Sequence, residues 1–283
     1  MQTNNFSDNN TNVGKTLQDL KVFVINLDRR QDRWVSVSKT LANHGFHDIE
    51  RVSAIDGKLI DSDNLKNLLH PEVLPQLGKI RKKHEDLGSV GAVGCSLSHY
   101  KVWNQIIEQN APALVVEDDL ICHPMFRNFK LTRNISMLND YDFVLLSTAV
   151  RESALFDTSK LKSNQGIVPY HGLFFGTHFY YLTPEGARFF LNNFFPLQYQ
   201  VDSFMSFRIK KNRKFRIGVH YPEMGYQSGG STDIQTPMDS VFSKIIVQIK
   251  SAPIHKKIAI TFCGLCVLFV VLFLIAVSVQ FLL

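Results

Sequence analysis

PALVVEDD, residues 112–119, runs four apolar residues (Ala113, Leu114, Val115, Val116) directly into three carboxylates. The apolar run reads as a strand and Glu117-Asp118-Asp119 as the group at its carboxyl end. In an open α/β sheet, ligands bind just beyond that end. Three acids placed there repel one another unless a cation or hydrogen-bond donors compensate. If the strand persists through the acids, period-two alternation puts Glu117 and Asp119 on one side. Two such oxygen ligands suit Mg²⁺ or Mn²⁺ with room for phosphate oxygens. A solvated turn or a helix cap is the other reading of the same triplet.

On either side, extended and helical patterns alternate. KVFVINL (21–27) is a β-rich run leading into charged DRRQDRW and a helical stretch, and ERVSAIDG (50–57) is extended and ends in the turn dipeptide Asp-Gly. Residues 59–88 mix helix and loop, broken by Pro71 and Pro75, and KIRKKHED (79–86) reads as an exposed basic loop. SLSHYKVWNQIIEQ (96–109) has helical spacing, with Leu97, Val102, Trp103, Ile106 and Ile107 inward. DFVLLS (142–147), THFYYLT (177–183) and KFRIGVHY (214–221) read as strands. PEGARFFLNNF (184–194) and VDSFMSFRIKK (201–211) read as helices, the first opened by proline. Strands alternating with helices predict a mainly parallel α/β sandwich.

The organisation follows from composition. Of the 283 residues, 45% are hydrophobic and 20% charged, with a net charge of +6; this excludes a disordered chain, a collagen-like repeat and a disulfide-dense mini-protein. Residues 1–18 read as a flexible segment, 19–235 as the folded domain, 236–257 as a basic juxtamembrane segment and 258–283 as a transmembrane helix. The last, IAITFCGLCVLFVVLFLIAVSVQFLL, carries no charge and reaches roughly 39 Å as a helix, more than the ~30 Å hydrocarbon core. Lys244, Lys250, Lys256 and Lys257 precede it without an acid between Ser240 and Lys257. That flank, with no signal-peptide pattern at the start, places the domain on the cytoplasmic side of a single-pass membrane anchor. VFSKIIVQIK (241–250) has the spacing of a helix lying on an anionic membrane or packed on the domain. The four cysteines fit a reducing compartment, and Cys263-x-x-Cys266 among lipid tails is no zinc or redox site. The basic excess at 79–84 and 244–257 matches membrane or phosphate attraction rather than a nucleic acid.

Several other groups bear chemistry. Asn26-Leu27-Asp28-Arg29-Arg30-Gln31-Asp32-Arg33 follows the first strand; its arginines either fork onto phosphates or pair with Asp28 and Asp32. In GSVGAVGCSLSHYKVW (88–103), Gly88, Gly91 and Gly94 are three apart, which is not the dinucleotide fingerprint. They permit close backbone approach before the helix that carries Ser98 and His99, and His99 reads either as a packed histidine or as a catalyst. Asp202 is a helix-start acid or a catalytic group, and GYQSGGSTDI (225–234) a polar loop.

In this order the motifs resemble glycosyltransferase family 25: VFVINLDRRQDR (22–33), VSAIDG (52–57), GAVGCSLSHYKVW (91–103), ALVVEDDL (113–120), GTHFYYLTPEGARFFL (176–191), QVDSFM (200–205) and QSGGSTDI (227–234). The C-terminal span lies outside the pattern of the bacterial members. The resemblance implies a GT-A, nucleotide-sugar-binding Rossmann-type fold. It implies transfer of a sugar, most often galactose, from a UDP-sugar to a saccharide acceptor with inversion, as in lipooligosaccharide synthesis. It further implies Asp119 and Glu117 at a Mn²⁺ or Mg²⁺ ion, and Asn26, Arg29, Arg33, Asp56, Ser98 and His99 at the donor. Asp202 is the expected general base, with Asp118 second. A metal-dependent phosphoesterase and a catalytically silent nucleotide-sugar-binding module are the competing readings.

Overall fold

The structure, a computed structural model, describes residues 15–79, 83, 85–149 and 166–228. The first strand, β1 (Lys21–Asn26), is buried from Val22 onward. It leads into α1 (Gln31–Asn43) and then β2 (Ile49–Ser53), which lies parallel beside β1. A short helix α2 (Ser62–Leu68), capped by Asp61, precedes the long α3 (Val90–Gln109). β3 (Ala113–Glu117) then returns parallel to β1 on the side opposite β2. The chain continues through β4 (Leu120–Cys122), the single turn α4 (Lys130–Arg133), β5 (Phe143–Ala149), β6 (Gly166–Pro169) and β7 (Phe175–Leu182). It closes with α5 (Pro184–Leu191), α6 (Val201–Lys211), β8 (Ile217–Tyr221) and β9 (Gly225–Gln227).

Seven strands form one sheet in the order β2-β1-β3-β7-β5-β8-β6, and β4 pairs with β9 in a separate ribbon. Five of the seven strands point one way; β7 and β6 run against them. The α/β sandwich expected from sequence therefore forms, with an antiparallel strand inserted at its centre. Helices cover both faces. Phe23, Val115, Tyr180 and Leu182 pack with Trp103 and Ile106 of α3 and Phe190 of α5. On the other face, Val22, Val24, Leu114 and Val116 pack with Val37 and Leu41 of α1 and with Phe126 and Leu138.

The order β2-β1-β3 is functionally decisive. The connection from β1 to β2 passes through α1 on one face, and the connection from β2 to β3 passes through α3 on the other. The strand order thus reverses at β1, and in such sheets the ligand site lies at the carboxyl ends of the strands on either side of the reversal, here β1 and β3. Asn26 and the acidic triplet stand there.

Some boundaries differ from the sequence reading. α3 begins at Val90, six residues before the predicted start, because Ser89 caps it by accepting from the Ala92 amide. Gly91 and Gly94 are therefore inside the helix and not ahead of it. A Cβ on Gly94 would stand 2.4 Å from the Ile55 carbonyl oxygen and 2.6 Å from the Gly57 amide nitrogen, so the helix rests directly on the backbone of the 55–57 turn. Near the start, Leu17 is fully buried within a 3-10 turn at Leu17–Asp19, so the core begins two residues ahead of position 19. Lys79 and Lys83 of the basic loop are exposed. Gly225–Gln227, read as loop, forms a strand against β4. Among the described residues, no helix is long and apolar enough to cross a membrane; the expected surface helix at 241–250 and span at 258–283 lie outside them.

Candidate active site

β3 ends at Glu117, and Asp118 and Asp119 form the turn into β4. This corrects the expectation that alternation would place Glu117 and Asp119 on one side: the strand stops too early for it. Glu117 and Asp118 instead turn to opposite faces. Glu117 accepts a hydrogen bond from Thr177 Oγ1 (2.9 Å), and its Oε1 lies 3.5 Å from His99 Nε2. Asp118 faces α1. Its Oδ1 accepts from Arg33 Nη1 at 2.9 Å and its Oδ2 from Asn26 Nδ2 at 2.7 Å.

Asp119 is the exception in this cluster. Its Oδ1 is buried without a hydrogen-bond partner. Burial, reinforced by the charge of Glu117 and opposed by Arg33, pushes its carboxyl up to about 7. Burial would also raise Glu117, but its interactions with His99 and Thr177 outweigh it and hold that carboxyl below the usual range. One neighbour is thus a settled carboxylate and the other a destabilised one. A buried acid with an orphaned oxygen and a penalty against ionising is relieved by a cation. The donor set, carboxylate oxygens at a sheet edge, suits a hard divalent ion, so the residues fit the metal the resemblance implies. Ser228 N donates to the Asp119 backbone oxygen (2.9 Å), which ties the end of β9 to this turn.

The other predicted residues group around the crevice. Arg29 forms an ion pair with Asp56, and Asp56 also caps its own turn by accepting from Lys58 N at 3.1 Å. Asn26, only 1% exposed, accepts from Arg51 Nε (2.8 Å) and donates to Arg30 O (2.9 Å) and Asp118. Arg30 pairs with Asp32, while Asp28 pairs with Arg51 and Ser53. Ser98 is buried; its hydroxyl donates to Gly94 O (2.6 Å) and accepts from Ile55 N (2.8 Å), so it fastens the Asp56 turn to α3. His99 is wholly buried. Asp202, 7% exposed in the first turn of α6, accepts from Gly176 N at 2.9 Å, from Ser203 N at 2.6 Å and from Ser203 Oγ at 3.1 Å. Gly176 adjoins Thr177, so β7 links Asp202 to Glu117.

Sequence reasoning missed several participants. Thr177 and Tyr180 were part of an unremarkable strand, and Arg51 of a second one. Cys95, His99 and Glu117 each offer one ligand atom, all within 4.8 Å of one another. Cys95 and Cys122 are free thiols. His178 lies buried beside Ser147, with Nε2 to Oγ 2.5 Å, while its Nδ1 has no partner. A polar residue flanked by apolar strand neighbours carries no local mark of such pairing.

The profile described as "Glycosyltransferase family 25 (LPS biosynthesis protein)" matches residues 19–205. The chain belongs to glycosyltransferase family 25. Its similarity to human Procollagen galactosyltransferase 2 is 29% identity over 196 residues, covering 68% of this chain and 30% of that protein. Putative glycosyltransferase R655 of Acanthamoeba polyphaga mimivirus is 29% identical over 187 residues, 62% of this chain and 53% of its own length. A Glycosyltransferase 25 family member of Anopheles gambiae is 35% identical over 107 residues, 38% of this chain and 17% of that protein. The chain spans about half or less of these relatives. The family 25 match ends inside α6, and it takes in both the crevice and the acidic triplet.

Proposed function

We propose that this family 25 chain moves a hexose, galactose in the first instance, from a UDP-sugar to a saccharide acceptor with inversion at the anomeric carbon. The observation that carries the reading is the orphaned, buried Asp119 oxygen at the switch point of the sheet. Asp119, with Glu117, would hold Mn²⁺ or Mg²⁺. Such an ion, when bound, offsets the negative charge that builds on the departing diphosphate.

The chain's own groups supply the rest. Asp118 is paired with the Arg33 guanidinium and held by Asn26, so it ties α1 to the turn and is the weaker candidate for base. Asp202 accepts from Gly176 N, Ser203 N and Ser203 Oγ, which leaves about one of a carboxylate's four lone pairs to take the proton of the acceptor hydroxyl. Arg29 and Arg33, held by Asp56 and Asp118, bring positive charge to the crevice that receives the nucleotide diphosphate. The lysine-rich flank and apolar stretch of 244–283 support a lipid-linked or lipooligosaccharide acceptor met at the cytoplasmic face of a membrane.

Full-length protein incubated with Mn²⁺, UDP-galactose and a panel of saccharide acceptors tests this. Release of UDP that depends on both acceptor and divalent ion is expected. Acceptor-independent phosphate release would favour phosphoesterase chemistry, and saturable UDP binding without turnover a silent binding module. Asp202→Asn lowers kcat by well over tenfold if Asp202 is the base; a smaller loss, under about 1.4 kcal/mol, removes it from that role.

A further inference from the structure

Three side chains behind Glu117 are completely buried: His99, Trp103 and Tyr180. Trp103 Nε1 donates to the Tyr180 hydroxyl at 2.9 Å, and the same hydroxyl lies 2.9 Å from His99 Nδ1. Across the imidazole, His99 Nε2 lies 3.5 Å from Glu117 Oε1 and 3.4 Å from Thr177 Oγ1. Thr177 in turn donates to Glu117 Oε1.

The directions of these bonds follow from proton counting. An indole N–H can only donate, so Tyr180 must accept from Trp103. The Tyr180 hydroxyl proton then has one acceptor within reach, His99 Nδ1. That nitrogen must therefore be unprotonated, and the ring proton sits on Nε2, pointing at Glu117 and Thr177. We infer that Trp103, Tyr180 and His99 form a one-way hydrogen-bond relay that fixes the His99 tautomer and thereby the orientation of Glu117. All three are positioning residues.

The relay decides between two uses of the same atoms. Cys95, His99 and Glu117 are near enough to hold a soft metal, but a metal on Nε2 needs the opposite tautomer. Nδ1–H would then face Tyr180, leaving the phenol proton buried with no acceptor, a state proteins avoid. Glu117 is accordingly steered toward the crevice rather than into a thiolate–imidazole site. This step rests on the reading of Glu117 as part of the donor-metal site; the tautomer itself does not.

The test uses the full-length chain labelled with ¹⁵N at histidine, without metal or nucleotide, with the His99 signals assigned by their loss in His99→Gln. Long-range ¹H–¹⁵N correlation should show a single Nε2–H tautomer in the wild type and a tautomer mixture in Tyr180→Phe, which removes the hydroxyl proton that Nδ1 accepts. Trp103→Phe leaves the Tyr180 proton its one acceptor, so it keeps the Nε2–H tautomer and serves as the control for loss of the indole; should Tyr180→Phe fail to fold, the wild-type spectrum still decides the tautomer. An Nδ1–H tautomer in the wild type, or an unchanged tautomer in folded Tyr180→Phe, overturns the relay. Mn²⁺ binding followed by electron paramagnetic resonance should weaken about tenfold in Tyr180→Phe, as loss of an outer partner of a ligand does. An unchanged Mn²⁺ Kd overturns the orienting role. A wild-type chain that binds no Mn²⁺ overturns the metal reading alone, because the tautomer is measured independently of it.

Discussion

Arg33 Nη1 lies 2.9 Å from Asp118 Oδ1, joining α1 to the turn that follows β3. Only 17% of the arginine side chain and 11% of the aspartate are exposed. Removing one member strands the other in a poorly solvated place. Arg33→Ala is therefore expected to lower the unfolding free energy by about 2–4 kcal/mol, read from urea denaturation. The double variant Arg33→Ala/Asp118→Ala should lose less than the sum of the single losses. A strictly additive cycle would show that the two do not interact.

Asp119 sets stability against function. Its carboxyl is raised to about 7, so the unfolded chain ionises it at lower pH than the folded chain does. Between about pH 4 and pH 7 its contribution to stability falls as pH rises, and the penalty is complete above 7. Asp119→Asn should then raise the Tm of the metal-free protein at pH 8 while abolishing Mn²⁺ binding and transfer. Calorimetry at pH 8 with and without Mn²⁺ measures both; an unchanged Tm with undiminished Mn²⁺ affinity would contradict the assignment.

His220 makes the opposite pH prediction. Burial lowers it from 6.5 to about 4, despite a hydrogen bond to the Pro222 carbonyl. The unfolded chain takes up a proton below pH 6.5 and the folded chain does not. Its contribution is intact above 6.5 and is lost as pH falls toward 4, on the order of 3 kcal/mol. Denaturation between pH 7 and pH 4 should therefore show a declining limb that His220→Phe flattens.

Gly94→Ala tests the seat of α3. The added methyl would collide with backbone at Ile55 and Gly57, so helix and turn must separate. A loss of about 1–3 kcal/mol is expected, together with weaker UDP binding, because Asp56 rides on that turn. Ser98→Ala, which removes the acceptor for Ile55 N, should act in the same direction by about 1–2 kcal/mol. Thermal melts and UDP titration provide the comparison.

The apolar run at 113–116, the proline-opened helix at 184 and α6 at 201–211 were readable because periodicity and caps are local. The direction of β7 was not: THFYYLT looks the same whether it runs with its neighbours or against them, and only its pairing with β3 and β5 decides. Nor could the end of β3 be read, since alternation says nothing about where a strand stops. The acids themselves stood out as a break in an apolar run. Their partners did not, because Thr177 and Tyr180 lie at least 60 positions away from Glu117 and His99, and hydrogen bonding across such separations leaves no trace in composition.

Because β7 is reversed, near and far are exchanged along it. The first residues of that strand, Gly176 and Thr177, touch the acids, whereas its last, Leu182, hands over to α5 at the opposite rim. A fluorophore or affinity handle on exposed Glu185, in the first turn of α5, would hang from that opposite rim. An insertion ahead of Phe175 would press on Asp202 and Glu117 together.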